Sequence, residues 1–96
     1  MAVTRKRTDA NQKEIVNGLR RIGASVLILS NVGGGCFDLL VGFRGRNYLM
    51  EIKDGAKKPS QRRLRETQVE FFQSWAGQAA KVENLAEALA VLAIKV

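Results

Sequence analysis

Three charged residues interrupt two otherwise apolar segments. Asp38 lies in Phe37-Asp38-Leu39-Leu40-Val41-Gly42-Phe43, and Glu51 and Lys53 lie in Asn47-Tyr48-Leu49-Met50-Glu51-Ile52-Lys53. Both segments read as strands, and Gly45 supplies the turn of a β-hairpin between them. Strand side chains alternate between faces, so Leu49, Glu51 and Lys53 share one face while Tyr48, Met50 and Ile52 share the other. Asp38 opens its strand and Glu51-Ile52-Lys53 closes the next. In an antiparallel hairpin those two ends are neighbours, so two carboxylates and an ammonium are expected to converge.

Such a group suits hydrolysis of a phosphodiester. Asp38 and Glu51 offer the hard oxygen ligands that Mg²⁺ prefers, with Mn²⁺ as a substitute, and the Ile52 carbonyl between the charged residues is a natural further ligand. A bound ion lowers the pKa of a water and neutralises charge on the scissile phosphate, while Lys53 orients that water or stabilises developing negative charge. Glu51 with Lys53 alone has a plainer meaning, an ion pair on a solvated strand face. Asp38 at the right place, the glycine run Gly33-Gly34-Gly35 before it and the basic clusters shift the balance towards a reactive site.

Two further residues are candidates. Gln68 falls in the apolar stripe of Leu64, Phe71, Phe72 and Trp75 on a predicted helix, where its amide needs partners. The carboxylates of the site would supply them; a core-edge glutamine bonded to backbone is the alternative. Glu14 borders the apolar face of the first helix, beside Ile15. It is either a third acid for the metal or a surface partner of a nearby arginine.

The elements that must position these residues follow from periodicity and caps. A helix is expected from about Asp9, its N-cap, to Ile22, with Gly23 as its stop. Ser25–Leu29 is short, β-branched and apolar, the pattern of a buried strand. Phe37–Phe43 and Asn47–Lys53 form the hairpin. Ser60 caps a helix running to about Trp75, which Gly77 closes. Ala79–Val82 is a fourth strand, and Asn84 caps a last helix with Leu85, Ala88, Leu89 and Leu92 on its apolar face. The order is α-β-β-β-α-β-α, an α/β domain with a central mixed sheet flanked by helices.

The chain's 96 residues suit one domain, with residues 1–8 a basic, flexible start. A domain this small gains from a homodimer that hides more apolar surface. Sixteen Lys and Arg face nine Asp and Glu, a net charge of +7. Residues 1–65 carry net +9 and residues 66–96 net −2, so the basic field belongs to the first two-thirds. A field of this sign favours the phosphates of nucleic acid. Arg44, Arg46, Lys57, Lys58, Arg62 and Arg63 are the candidates for gripping a DNA backbone, read as flanking the site on the hairpin turn and the following loop. With no His and only Cys36, a Cys/His zinc site and an intrachain disulfide are excluded within one chain. The lone cysteine fits a reducing cytoplasm, and no apolar run reaches the ~20 residues that span a bilayer.

Glu14, Gly35-Cys36-Phe37-Asp38, Glu51-Ile52-Lys53 and Gln68, followed by Gly77 to Val82, together resemble the PD-(D/E)xK nuclease superfamily. The resemblance is nearest to the compact VRR-NUC branch and covers roughly residues 11–93. It implies a restriction-endonuclease-like core and a metal at Asp38 and Glu51. It further implies catalysis by Lys53 with help from Gln68, and Glu14 in the place of that branch's first-helix acid. Stand-alone members resemble Holliday-junction resolvases, so the implied activity is a magnesium-dependent DNA endonuclease, selective for branched DNA and acting as a homodimer. Phe37 departs from the pattern, replacing the usual proline at a position that ligates nothing. The competing expectation is a non-catalytic nucleic-acid-binding module on the same fold.

Overall fold

The computed structural model describes residues 10–93. The expected N-cap Asp9 and the basic residues 1–8 lie outside them. Its elements are α1 (Ala10–Arg21), β1 (Ser25–Ile28), β2 (Leu39–Phe43), β3 (Arg46–Ile52), α2 (Pro59–Arg62), α3 (Glu66–Ser74), β4 (Gln78–Val82) and α4 (Leu85–Val91). The strands make one mixed sheet in the order β1-β2-β3-β4. The first three are antiparallel, and β4 runs parallel to β3.

The hairpin turn is made by Arg44 and Gly45, with φ of 53° and 79°. Two successive positive φ values give the two-residue turn whose twist matches the strands it joins. The register Leu39↔Met50 and Val41↔Tyr48 follows. It sends Leu39, Val41, Met50, Ile52 and Val82 into a core against Ile15, Val16 and Leu19 of α1 and Ala88 and Leu92 at α4. Burying each large aliphatic side chain is worth about 1.5–3 kcal/mol, so this face carries the fold. Gly18 lets α4 approach α1, because a Cβ there would stand 2.5 Å from a methyl of Leu85. Asn84 caps α4 as expected, its side chain accepting the Glu87 N–H at 2.8 Å.

Two expectations need correction. The strand expected over Ser25–Leu29 forms over Ser25–Ile28, but as an edge strand and not a buried one: Leu27 is 57% and Ile28 49% exposed. Leu27 pairs with Leu40 on the sheet face opposite to the one that carries the core. The single helix from Ser60 to Trp75 is instead two helices. Lys58, not Ser60, caps the first, and Arg63 and Arg65 are both extended, with ψ of 152° and 163°. The break takes Leu64 out of the stripe; within α3 Gln68 is the buried residue, while Phe72 and Trp75 are 42% and 46% exposed. The break has a local cause. The Arg65 N–H, which a continuous helix would direct at a carbonyl four residues back, donates to the Gln68 side chain at 2.9 Å.

No helix among the described residues is long and apolar enough to cross a membrane.

Candidate active site

The second sheet face, opposite α1 and α4, holds the charged residues. Strand β2 starts at Leu39, opposite Met50, two residues too late to pair its backbone with Ile52 at the end of β3. The Asp38 side chain takes over that role, its Oδ2 accepting the Ile52 N–H at 3.0 Å. The same residue's carbonyl accepts the Leu29 N–H at 2.7 Å, and the Ser30 hydroxyl stands 3.5 Å from Oδ1. A strand residue's N–H and C=O leave the chain on the same side. The Ile52 carbonyl therefore faces the Asp38 side of β3.

The glycine run brings α3 to this face. Gly33, Gly34 and Gly35 have φ of 83°, 66° and 80°. A Cβ on Gly35 would lie 2.4 Å from the Thr67 carbonyl oxygen, so only glycine lets the loop lie against the first turn of α3. Phe37 is then fully buried, with its ring 5.5 Å from Phe71 and 6.0 Å from Phe72. This packing sets Gln68 over the end of β3. Within the glycine run it is Gly35 that makes this approach to the helix.

At the centre Gln68 Nε2 donates to Glu51 Oε2 at 2.7 Å, and Lys53 Nζ donates to Gln68 Oε1 at 3.1 Å. Lys53 Nζ also stands 3.4 Å from Glu51 Oε2. Gln68 thus uses both ends of its amide, oxygen to cations and N–H groups, nitrogen to a carboxylate. Glu51 is 4% exposed, and its Oε1 is buried with no hydrogen-bond partner among the described residues. Burial, and then the charge of Asp38, push the Glu51 carboxyl above its ordinary range, against the opposing pull of Lys53 and Gln68. Burial likewise raises the thiol of Cys36. The start of α1 is tied to this end of the sheet, where Asn11 Nδ2 donates to the carbonyls of Lys53 and Glu83 at 3.0 and 3.1 Å.

The donor set fits a divalent cation. A buried carboxylate oxygen without a partner beside a second carboxylate and a backbone carbonyl is a cluster of hard oxygen ligands. No group of three or more Asp, Glu, His or Cys side chains gathers among the described residues. An ion here would therefore rest on two carboxylates, a carbonyl and water, a set that Mg²⁺ accepts.

Asp38, Glu51, Ile52, Lys53 and Gln68 are thus brought together; Glu14 is not. It is exposed on α1, and the polar side chain that this helix buries is Gln12. The basic candidates divide. Arg44 and Arg46 do not flank the site: they stand at the hairpin turn, and Arg46 is five residues of strand from Glu51, or about 17 Å. Arg44 lies over the Phe43 ring at 4.9 Å. Arg62 is committed to Glu83 at 3.3 Å. Lys57, Lys58 and Arg63 are exposed in the segments that follow Lys53. Sequence reasoning missed Ser30, which stands beside Asp38, and Asn11. Ser30 sits in no spacing pattern and reaches the site through the fold alone, whereas Asn11 stands four residues before Ile15 on the buried stripe of α1.

The chain matches no protein-family model, no curated protein and no solved structure.

Proposed function

We propose that the protein is a metal-dependent DNA endonuclease that hydrolyses phosphodiester bonds at Asp38, Glu51 and Lys53. The observation that carries this reading is Glu51: a nearly fully buried carboxylate with one oxygen unpartnered among the described residues, next to Asp38 and bridged to Lys53 by Gln68. An ion pair kept for stability alone would satisfy both oxygens, because an orphaned buried acceptor costs about 1–3 kcal/mol.

Asp38, Glu51 and the Ile52 carbonyl would hold Mg²⁺ or Mn²⁺, which when bound neutralises phosphate charge and acidifies water. The chain's own contribution is positional. Gln68 fixes the Lys53 ammonium, which is mostly withdrawn from solvent, where it can donate to an oxygen of the scissile phosphate or to the attacking water. Gln68 at the same time holds the Glu51 carboxylate in orientation. Lys57, Lys58 and Arg63 grip the backbone without reading sequence, an interaction that weakens with salt. Branched DNA is the proposed substrate and a homodimer the proposed working form, so that two sites meet two strands.

The test is cleavage of labelled duplex, flap and four-way-junction DNA with Mg²⁺, with Mn²⁺ and with chelator. Cutting that needs metal supports the reading, and the preferred DNA names the substrate. Tight binding of all three without cutting in either metal would sink it and leave a binding module.

A further inference from the structure

Towards β4 lies a hollow of about 390 Å³ lined by Arg63, Leu64, Val69, Phe72 and Lys81. The sheet register fixes its place. Lys81 is the β4 partner of Glu51 in the parallel pair, so both side chains leave the same sheet face, one strand apart at about 4.8 Å. Lys81, which lines the hollow, therefore stands beside Glu51, on the side of β3 away from Asp38.

Its chemistry has two halves. One wall is apolar and aromatic: Phe72 lies nearly parallel to the buried Phe37 ring, 10° between planes, yet is 42% exposed. Trp75 extends the aromatic row, stacked on Phe71 at 5.3 Å and 46% exposed. The rim is cationic. Lys81 is held there by the Arg62 carbonyl and Glu83, each at 3.3 Å, and Glu83 offsets its charge. Arg63 is exposed and makes no ion pair among the described residues. A half-exposed aromatic ring and a guanidinium without an ion pair among the described residues match the two halves of a nucleotide, a base with a π face and an anionic phosphate.

We propose that this hollow takes an unpaired nucleobase of the DNA, stacked towards Phe72 with its phosphate on Arg63. The ligand's identity rests on the nuclease reading above. A fully paired duplex keeps its bases in the stack, and extruding one costs energy; a base already unpaired at a branch or bulge enters freely. Selectivity for branched DNA then resides in named residues next to the cutting site.

The experiment is fluorescence anisotropy in chelator, comparing a fully paired duplex with the same duplex carrying one unpaired 2-aminopurine. Wild type is expected to bind the second about tenfold more tightly, within the range of a single base–aromatic stack, and to change the 2-aminopurine emission. Phe72→Leu keeps apolar bulk against Phe37 but loses the π face, and Arg63→Gln alters an exposed side chain that the fold does not use. Each should reduce the preference to less than about threefold. Equal affinity of wild type for the two DNAs overturns the proposal, as does a preference that survives both substitutions. So does wild-type self-association that Phe72→Leu abolishes, which would give the hollow to a second copy of the chain. Because binding is read without metal, loss of the preference leaves cleavage at Glu51 standing, and a preference without any cutting leaves the hollow standing.

Discussion

Replacing Glu51 by glutamine tests the site's electrostatics without touching DNA. The substitution keeps shape and removes the charge from a carboxylate that burial and Asp38 make reluctant to ionise. Its folded-state pKa lies above its value in the unfolded chain, so between those two values the native state binds more protons. Stability therefore falls as pH rises from the ordinary carboxylate range through the raised folded value, and the loss persists at neutral pH. Glu51→Gln removes that slope. The orphaned, charged Oε1 becomes half of a neutral amide, which returns part of the about 1–3 kcal/mol that an unsatisfied buried group costs. A gain near 1 kcal/mol corresponds to about 4–8 °C in Tm for a domain of this size. Thermal unfolding in chelator between pH 4 and pH 8 checks it. Mn²⁺ should then reverse the ranking, raising the wild-type Tm and leaving the variant's unchanged; tenfold excess over Kd is worth about 1.4 kcal/mol. A variant that is less stable than wild type at neutral pH in chelator, with the same pH slope, would refute the reasoning.

Three more outcomes follow from the same geometry. Gly35→Ala places a Cβ 2.4 Å from the Thr67 carbonyl at φ of 80° and should cost at least about 2 kcal/mol in chemical denaturation, since positive φ alone costs an alanine about 1–2 kcal/mol. Gln68→Ala strips partners from Glu51, Lys53 and the Arg65 N–H, and should lower the single-turnover cleavage rate about 10–100-fold while weakening DNA binding little. Lys57→Gln and Lys58→Gln should each reduce the slope of log affinity against log salt by about 1, whereas Arg62→Gln, which loses the Glu83 pair, should show mainly as a lower Tm.

The hairpin and its charged end were legible because strand periodicity is rigid. With Asp38 immediately before β2 and Glu51 next to the end of β3, antiparallel pairing leaves little freedom in where they meet. The Asn84 cap was legible for a similar local reason. What escaped the sequence depended on contacts between distant segments. Leu64 through Trp75 has helical spacing throughout, but the Gln68 amide takes the Arg65 N–H and the helix restarts there. That exchange is worth making because Glu51 and Lys53, on another element, occupy the remaining ends of the amide. The apolar run Ser25–Leu29 says strand, yet composition does not reveal that among the described residues this strand is the edge of the sheet. Glu14 shows the limit of helical phase: beside Ile15 it borders the core by spacing, and one residue's rotation is enough to leave it in water.

The most direct measurement of the central claim is single-turnover cleavage of a labelled four-way junction by wild type and Lys53→Ala, in Mg²⁺ and in chelator, with binding followed on the same DNA. Wild type is expected to cut only with metal, and Lys53→Ala to lose about 10²–10³-fold with affinity nearly kept, since the ammonium acts on the reacting phosphate. Cutting that persists in Lys53→Ala at the wild-type rate, or that proceeds equally in chelator, would contradict the claim.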